Sequence, residues 1–310
     1  MPLLARKKIL LAKIESTYGT DSTPTGAANA IQTSDLSITP LAGPTVSRNL
    51  DRSVLGGDLQ IQVGTFVELS FMVEMAGGGA VATAPAYGPL LRACGTAETV
   101  TAATSVRYDP ISTAPPGLSM YFAHDGQLHK VVGARGSVAL QMDPGTIPKY
   151  AFTFTGLYVA PSSTGDPTPD FAAYIVPVPV NKVNTATFTL HETAMNVTAF
   201  SVDFANEVIY RNIIGEESVQ IVDRAVVGTI SFESPAISAK NWFEIARLST
   251  LGSLNVIHGT VTGNRVIVSS PSVQLISPTY AESDGVSIIS ASLSLLPSSD
   301  GNDEIRITTT

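Results

Sequence analysis

The chain has 310 residues, 44% of them hydrophobic and only 14% charged, with a formal net charge of −8 and a sequence pI of about 5.0. That length suits about two domains with ample material for packed cores, and the acidic balance excludes a basic phosphate grip, which needs clustered Lys and Arg. One cysteine, Cys94, excludes an intrachain disulfide, and no apolar run approaches the ~18 residues of a membrane-spanning helix.

The opening Arg6-Lys7-Lys8-Ile9-Leu10-Leu11 faintly resembles a secretory leader, but Lys13 and Glu15 cut its apolar run short. Action where the chain is made, or release by assembly and lysis, is therefore expected. Residues 1–34 show no alternation and read as an extended arm that orders only against a neighbour. From 58 to 74 alternation is clear. Leu59, Ile61, Val63, Val67, Leu69, Phe71 and Val73 point one way, and Asp58, Gln60, Gln62, Glu68, Ser70 and Glu74 the other. The pattern predicts one long strand with an apolar and a wet face. Pro89 near the start and Gly95 past the end predict a short helix over 86–94. His124-Asp125-Gly126-Gln127 reads as a hairpin turn, and 149–159 alternate again, with Tyr150, Phe152, Phe154 and Tyr158 together.

The Pro-, Ser- and Thr-rich stretch at 160–170 reads as a linker between a first β-domain (35–160, linker from 161) and a second (171–310). The second half repeats the first in outline. A long strand region over 217–233 ends Thr229-Ile230-Ser231-Phe232-Glu233, as the first contains Glu68-Leu69-Ser70-Phe71. A helix follows at 239–249, then strands to 286–296, where Ile289, Ala291, Leu293 and Leu295 alternate with serines. The fold class predicted is all-β, and the order of elements reads as a duplication. The low charge and abundant Ser and Thr suit a subunit buried against its own copies, and suit a secreted β-domain equally.

No constellation for chemistry emerges. His124, His129, His191 and His258 are scattered, without metal-ligand spacing. His191-Glu192 opens like a zinc-protease helix, but Met195 stands where the second histidine must be. There is no GxSxG elbow, Walker loop or GxGxxG. Gly77-Gly78-Gly79 lacks the Lys and the adjoining helix start of a phosphate loop, and Asn196-Val197-Thr198 is a sequon of the kind expected by chance. The reading is a non-enzyme without cofactor or metal.

The N-terminal third carries a resemblance. Residues 4–21, from Leu4 to Asp21, and Pro24-Thr25-Gly26-Ala27-Ala28-Asn29-Ala30-Ile31 resemble the start of phage tail tube proteins. So do Val67-Glu68-Leu69-Ser70-Phe71-Met72-Val73-Glu74-Met75-Ala76-Gly77 and Ala84-Pro85-Ala86-Tyr87-Gly88-Pro89-Leu90-Leu91-Arg92-Ala93-Cys94-Gly95. Together they cover about residues 4–95 and are similar to major tail tube proteins of long, non-contractile tails, of the siphophage and Mu-like transposable type. The resemblance implies two tandem tail-tube-type β-sandwich or partial-barrel lobes, each with one short flanking helix. It implies rings around a channel for the genome, with a duplicated chain giving a trimer of pseudo-sixfold symmetry. The implied partners are further copies of the chain, a tape measure protein in the lumen, terminator and baseplate proteins at the tube ends, and DNA in transit. The place is the virion tail, with assembly in the host cytoplasm and no membrane. Another tail part of the same fold, a terminator or baseplate hub, and a secreted glycan-binding or adhesion sandwich are the alternatives.

Under that resemblance, alternation makes Asp58, Gln60, Gln62, Glu68 and Glu74 candidates to line the channel, with Asp223 and Glu233 as counterparts. The charged, turn-rich segments 44–57 and 206–217, carrying Arg48, Asp51, Arg52, Arg211, Glu216 and Glu217, are candidates for ring-to-ring contacts together with the N-terminal arm.

Overall fold

Apolar side chains at every second position line one face of a pleated strand, and most of the chain follows that rule. The computed structural model describes residues 2–310. The first half runs β1 (Lys8–Ile14), α1 (Gly26–Asn29), β2 (Ala30–Ile31), β3 (Ser34–Ala42), β4 (Thr45–Ser47), β5 (Gln60–Gln62), β6 (Phe66–Glu74), α2 (Gly88–Ala93), β7 (Thr96–Thr101), β8 (Ser105–Pro110), β9 (Leu118–His124), β10 (Gln127–Met142), β11 (Lys149–Tyr158) and β12 (Ser162–Ser163). The second runs β13 (Thr187–Leu190), β14 (Thr193–Ala194), β15 (Val197–Asp203), β16 (Asn206–Ile213), β17 (Glu216–Arg224), β18 (Val227–Glu233), α3 (Trp242–Arg247), β19 (Leu251–His258), β20 (Val266–Ser283), β21 (Val286–Leu296) and β22 (Arg306–Thr309).

All ladders are antiparallel. The first half pairs in the order β3-β6-β11-β10-β9-β1-β2. The second pairs in the order β15-β18-β21-β20-β19-β13-β14. The two orders correspond strand for strand, and β12 borders β10 as β22 borders β20. The hairpin β7–β8 has no counterpart in the second half. The hairpins β4–β5 and β16–β17 form separate two-stranded ribbons between corresponding strands, and the segments 43–65 and 204–226 that contain them are of equal length. They are termed here the first and second arm. The pairings form a branched, open chain without a closed circuit among the described residues.

Two seams join the lobes. Residues 139–142 of β10 pair with 200–203 of β15, and Ile307–Thr309 of β22 pair with Val106–Tyr108 of β8. The core is continuous across them, from Leu10, Phe71 and Phe152 to Phe200, Phe232 and Trp242. Phe71 stacks on Phe152 and Phe154 at 5.6 and 5.9 Å, while Phe232 meets Trp242 edge-on at 5.2 Å.

The hairpin at 124–127 forms between β9 and β10, with Asp125 and Gly126 both at positive φ, as a tight two-residue turn requires. Helix α2 starts with Pro89 in its first turn and is followed by Gly95 at φ +81°. In α3 the Asn241 side chain accepts the Glu244 N–H at 3.1 Å, and Trp242 is buried. Both helices are shorter than predicted, and α1 is an additional turn.

Three expectations are corrected. Residues 58–74 are not one strand: Gly64, at φ +69°, breaks them into β5, on the first arm, and β6, in the sheet. Residues 217–233 divide in the same place into β17 and β18. Alternation continues through both breaks because an arm ribbon is pleated like a sheet strand, so periodicity does not mark the change of partner. Leu59, Ile61 and Val63 are accordingly exposed, whereas Val67, Leu69, Phe71 and Val73 are core. The N-terminal segment does not wait for a neighbour. β1 pairs along its whole length with β9, and Leu10, Leu11 and Ala12 are buried. It shows no alternation because both its faces are covered, Leu10 in the main core and Leu11 in a satellite cluster with Ala30 and Tyr121.

The irregular stretch after β12 is pinned by His258. Its Nδ1 accepts from the Thr185 hydroxyl at 2.8 Å, and its Nε2–H donates to the Val178 carbonyl at 3.1 Å. Burial lowers its pKa below the ordinary histidine value, so the folded ring stays neutral. Below about pH 6.5 the unfolded chain takes up a proton that the folded chain resists, so stability falls as pH drops through that value. Urea midpoints at pH 7.5 and 5.5 should differ more for the native chain than for His258→Asn. Some slope should remain, because His191 is shifted downward too, by burial and by Lys240. Equal slopes would refute this assignment.

Candidate functional site

The feature that stands out is a face, not a pocket. Through the β10–β15 seam, the strands β3-β6-β11-β10-β15-β18-β21-β20 make one continuous sheet. Alternation packs one side of it into the core, with Leu69, Phe152, Val138, Val202, Ile230 and Leu293. Register fixes what lies opposite. Thr39, Glu68 and Thr155 share one row, as do Ser37, Ser70, Thr153 and Ser137. Across the seam, Ser201, Thr229 and Ser292 share another, and Ser231 pairs with Ser290.

Apart from Glu68, these are short, uncharged hydroxyl side chains, and several satisfy one another. Ser201 Oγ and Thr229 Oγ1 are 2.8 Å apart, as are Ser231 Oγ and Ser290 Oγ. Such cross-strand pairs hold register without presenting charge. A shallow depression of about 300 Å³ lies on this face over Ser37, Thr39, Glu68, Ser70, Thr153 and Thr155. The carboxylates in the same register are Glu68, Glu74, Asp203 and Glu233, and the cations are Lys149 and Arg135. Lys149 stands opposite Glu74. Arg135 is occupied, its guanidinium 4.5 Å over the Tyr18 ring and donating to the carbonyls of Val219 and Pro115, both at 2.7 Å. Carboxylates therefore dominate the free charge.

Of the residues proposed from sequence for a channel, Glu68, Glu74 and Glu233 lie on this face. Asp58, Gln60 and Gln62 lie on the first arm, and Asp223 on the second. Arg48, Asp51 and Arg52 occupy the exposed outer part of the first arm, where Arg52 pairs with Asp58. Arg211, Glu216 and Glu217 sit near the tip of the second, where the Tyr210 hydroxyl donates to Glu217 at 2.5 Å. The hydroxyl rows of β10, β11, β15 and β18 were not singled out from sequence. Their signal was Thr153 and Thr155 in β11 and Thr229 and Ser231 in β18, at alternate positions, with a single serine on that face in each of β10 and β15; alternation of hydroxyls was read from sequence only for Ser290, Ser292 and Ser294.

The two arms differ in their surroundings. The second lies on the first lobe. The Val219 N–H donates to the Tyr18 hydroxyl at 2.6 Å, and the Tyr210 ring packs tilted against Phe66 with centroids 4.9 Å apart. The buried Asn206 amide donates to the carbonyls of Cys94 and Gly136 at 2.7 and 2.9 Å. At its base Arg224 Nε meets Glu304 at 2.5 Å, and Nη1 donates to the Ile111 carbonyl at 3.1 Å. The first arm has no such seat and exposes Val54, Leu55, Leu59 and Ile61.

A cavity of about 700 Å³ lies between the seam and the irregular stretch, lined by Met142, Val180, Phe188, Met195, Val197 and Phe200. It gathers no cluster of ionisable groups. Cys94 is fully buried and its thiol pKa is pushed up by desolvation, which makes it a poor nucleophile. Among the described residues, no His, Cys, Asp or Glu group could hold a metal ion, and no helix is long and apolar enough to cross a membrane.

A search of curated proteins finds no match to the chain. A family model described as phage tail tube protein matches residues 5–295, a span that takes in both sheets, both arms and the seam between β10 and β15. Extensive antiparallel sheet, a polar face shared by two lobes and a match across nearly the whole length lead to one conclusion: the chain belongs to the phage tail tube protein family, a structural component of the virion tail that assembles with itself into a tube.

Proposed function

We propose that this chain is the major subunit of the tube of a long, non-contractile tail, and that the hydroxyl-rich face lines the channel through which the genome passes. The observation that carries this reading is the continuity of that face across the β10–β15 seam, with short hydroxyls in register and carboxylates in excess of free cations. Passing DNA needs a wall that does not hold it. Phosphate retention would require inward Lys or Arg, and base stacking would require aromatic platforms. At about 0.1 M salt the Debye length is ~10 Å, so wall carboxylates repel phosphates across a narrow gap.

The matching strand orders support two copies of one unit, divided at the linker near 161–170. Three chains then supply six quasi-equivalent lobes per ring. The exposed arm tips, with Arg48, Asp51 and Arg52 on one and Arg211, Glu216 and Glu217 on the other, are suited to meet the next ring. In this reading rings stack helically in the host cytoplasm, around a tape measure protein that DNA replaces at ejection. Terminator and baseplate proteins close the ends.

Cryo-electron microscopy of the purified, assembled protein tests the proposal. Three chains per ring are expected, with Thr153, Ser231 and Ser292 facing the channel. Six chains per ring, or this face on the outside of the tube, would refute it. A second expectation follows from the wall chemistry. Tubes of the triple variant Thr153→Lys, Ser231→Lys, Ser292→Lys should retain short DNA in a salt-dependent manner, whereas native tubes should not. Equal retention by both would remove the electrostatic account.

A further inference from the structure

The two lobes share one strand order, yet only one of them has an arm lying on it. The second arm's seat on the first lobe is made by Phe66, Arg135 and Tyr18, with the Pro115 carbonyl holding the Arg135 guanidinium in place. The same positions can be located on the second lobe by register. Phe66 begins β6 as Val227 begins β18, each at the foot of the arm. Pro115 lies two residues before Gly117, whose carbonyl accepts Glu15 N–H. Leu251 lies two residues before Ser253, whose carbonyl accepts His191 N–H. Arg135 ends the row Glu68–Thr155–Arg135, and the corresponding row of the second lobe, Thr229–Ser292, ends at Ile276.

The second-lobe positions are apolar and open: Val227 is 44% exposed, Leu251 51% and Ile276 38%. The same chain therefore carries an arm without a seat and a seat without an arm. The arms are of equal length and spring from corresponding strands. The first arm leaves between β3 and β6, on the far side of its own lobe's sheet order from β1 and β2, so it points away from the lobe that follows it in the chain.

We infer that the first arm of one chain seats on the second lobe of a second copy, across Val227, Leu251 and Ile276, as the second arm seats on the first lobe of its own chain. This rests on the tube reading, since it names a contact between copies within that assembly. The arm carries the contact better than the neighbouring strand edge does. At the β10–β15 seam the Phe204 N–H donates to Val138 at 3.0 Å, so the alternate residue Val202 also turns its N–H toward β10. Its counterpart in β3 is Pro40, which has no N–H to offer and leaves an edge ladder interrupted there.

Arg48 stands at the arm position of Tyr210, the residue that meets Phe66. The test is the double variant Arg48→Cys/Val227→Cys, assembled, treated with a short bismaleimide and run on a denaturing gel, with tubes scored in parallel by negative stain. Covalent multimers that are absent from either single variant are the expected result. Tubes without covalent multimers would overturn the arm seating and leave the tube reading standing. Covalent multimers without tubes would keep the seating and overturn the tube reading, and neither would overturn both.

Discussion

A chain lacking residues 1–20 is expected to be unfolded or aggregated, and not merely unable to assemble. The deletion removes β1, which pairs with β9 from Lys8 to Ile14 and buries Leu10, Leu11 and Ala12. It also removes Glu15, whose carboxylate accepts from the Ser119 hydroxyl at 2.9 Å, Gly133 N–H at 2.7 Å and Gly19 N–H at 2.7 Å. Two of those donors remain in the truncated chain and are left buried without a partner, which costs about 1–3 kcal/mol each. Leu10→Ala alone should cost about 2–5 kcal/mol, a large share of the roughly 5–15 kcal/mol that domains have. Circular dichroism and urea unfolding check both. A truncated chain with the native midpoint would show that β1 is dispensable, and Leu10→Ala with an unchanged midpoint would show that its site collapses freely.

Glu304→Ala should be nearly as damaging, through a side-chain ion pair and not a strand ladder. Arg224 and Glu304 keep only 11% and 8% of their side-chain surface in solvent, and they tie the base of the second arm to the segment before β22. Removing the carboxylate leaves a guanidinium in a dry site with only carbonyl and amide acceptors, from Ile111 and Asn302. Breaking one side of such a pair costs about 3–5 kcal/mol. Replacing both partners by apolar residues, as in Arg224→Met/Glu304→Leu, should recover most of that loss, since desolvating the pair offsets much of its attraction. Urea midpoints of the two single variants and the double complete the cycle. A double variant no more stable than Glu304→Ala would mean that the pair itself, and not the stranded charge, holds the arm base.

The sequence was most informative where one face was buried and the other wet. The strands over 149–158 and 286–296, the turn at Asp125-Gly126 and the helices around Leu90 and Trp242 were all legible, because alternation, turn chemistry and capping are local properties. What failed was information about partners. Gly64 ends one ladder and lets another begin, but the side-chain period is two on both sides of it, so 58–74 read as a single strand. The opposite failure befell Leu10-Leu11-Ala12, where two covered faces erase alternation and a core strand reads as an arm. For the candidate site, Glu68, Glu74 and Glu233 could be found from parity within β6 and β18. Ser137 and Ser201 could not, because which strands adjoin across the β10–β15 seam is a pairing between residues about 60 positions apart.

The pairing of β22 with β8 has a consequence for the order of events during synthesis. Ile307, Thr308 and Thr309 complete the edge of β8 at Tyr108, Arg107 and Val106. Thr309 follows Val106 by 203 residues, so a nascent chain can gather most of its first lobe vectorially while the β8 edge stays open. That edge is closed only after the second lobe has been made, and a product lacking β22 retains an unpaired edge, a surface that favours off-pathway pairing.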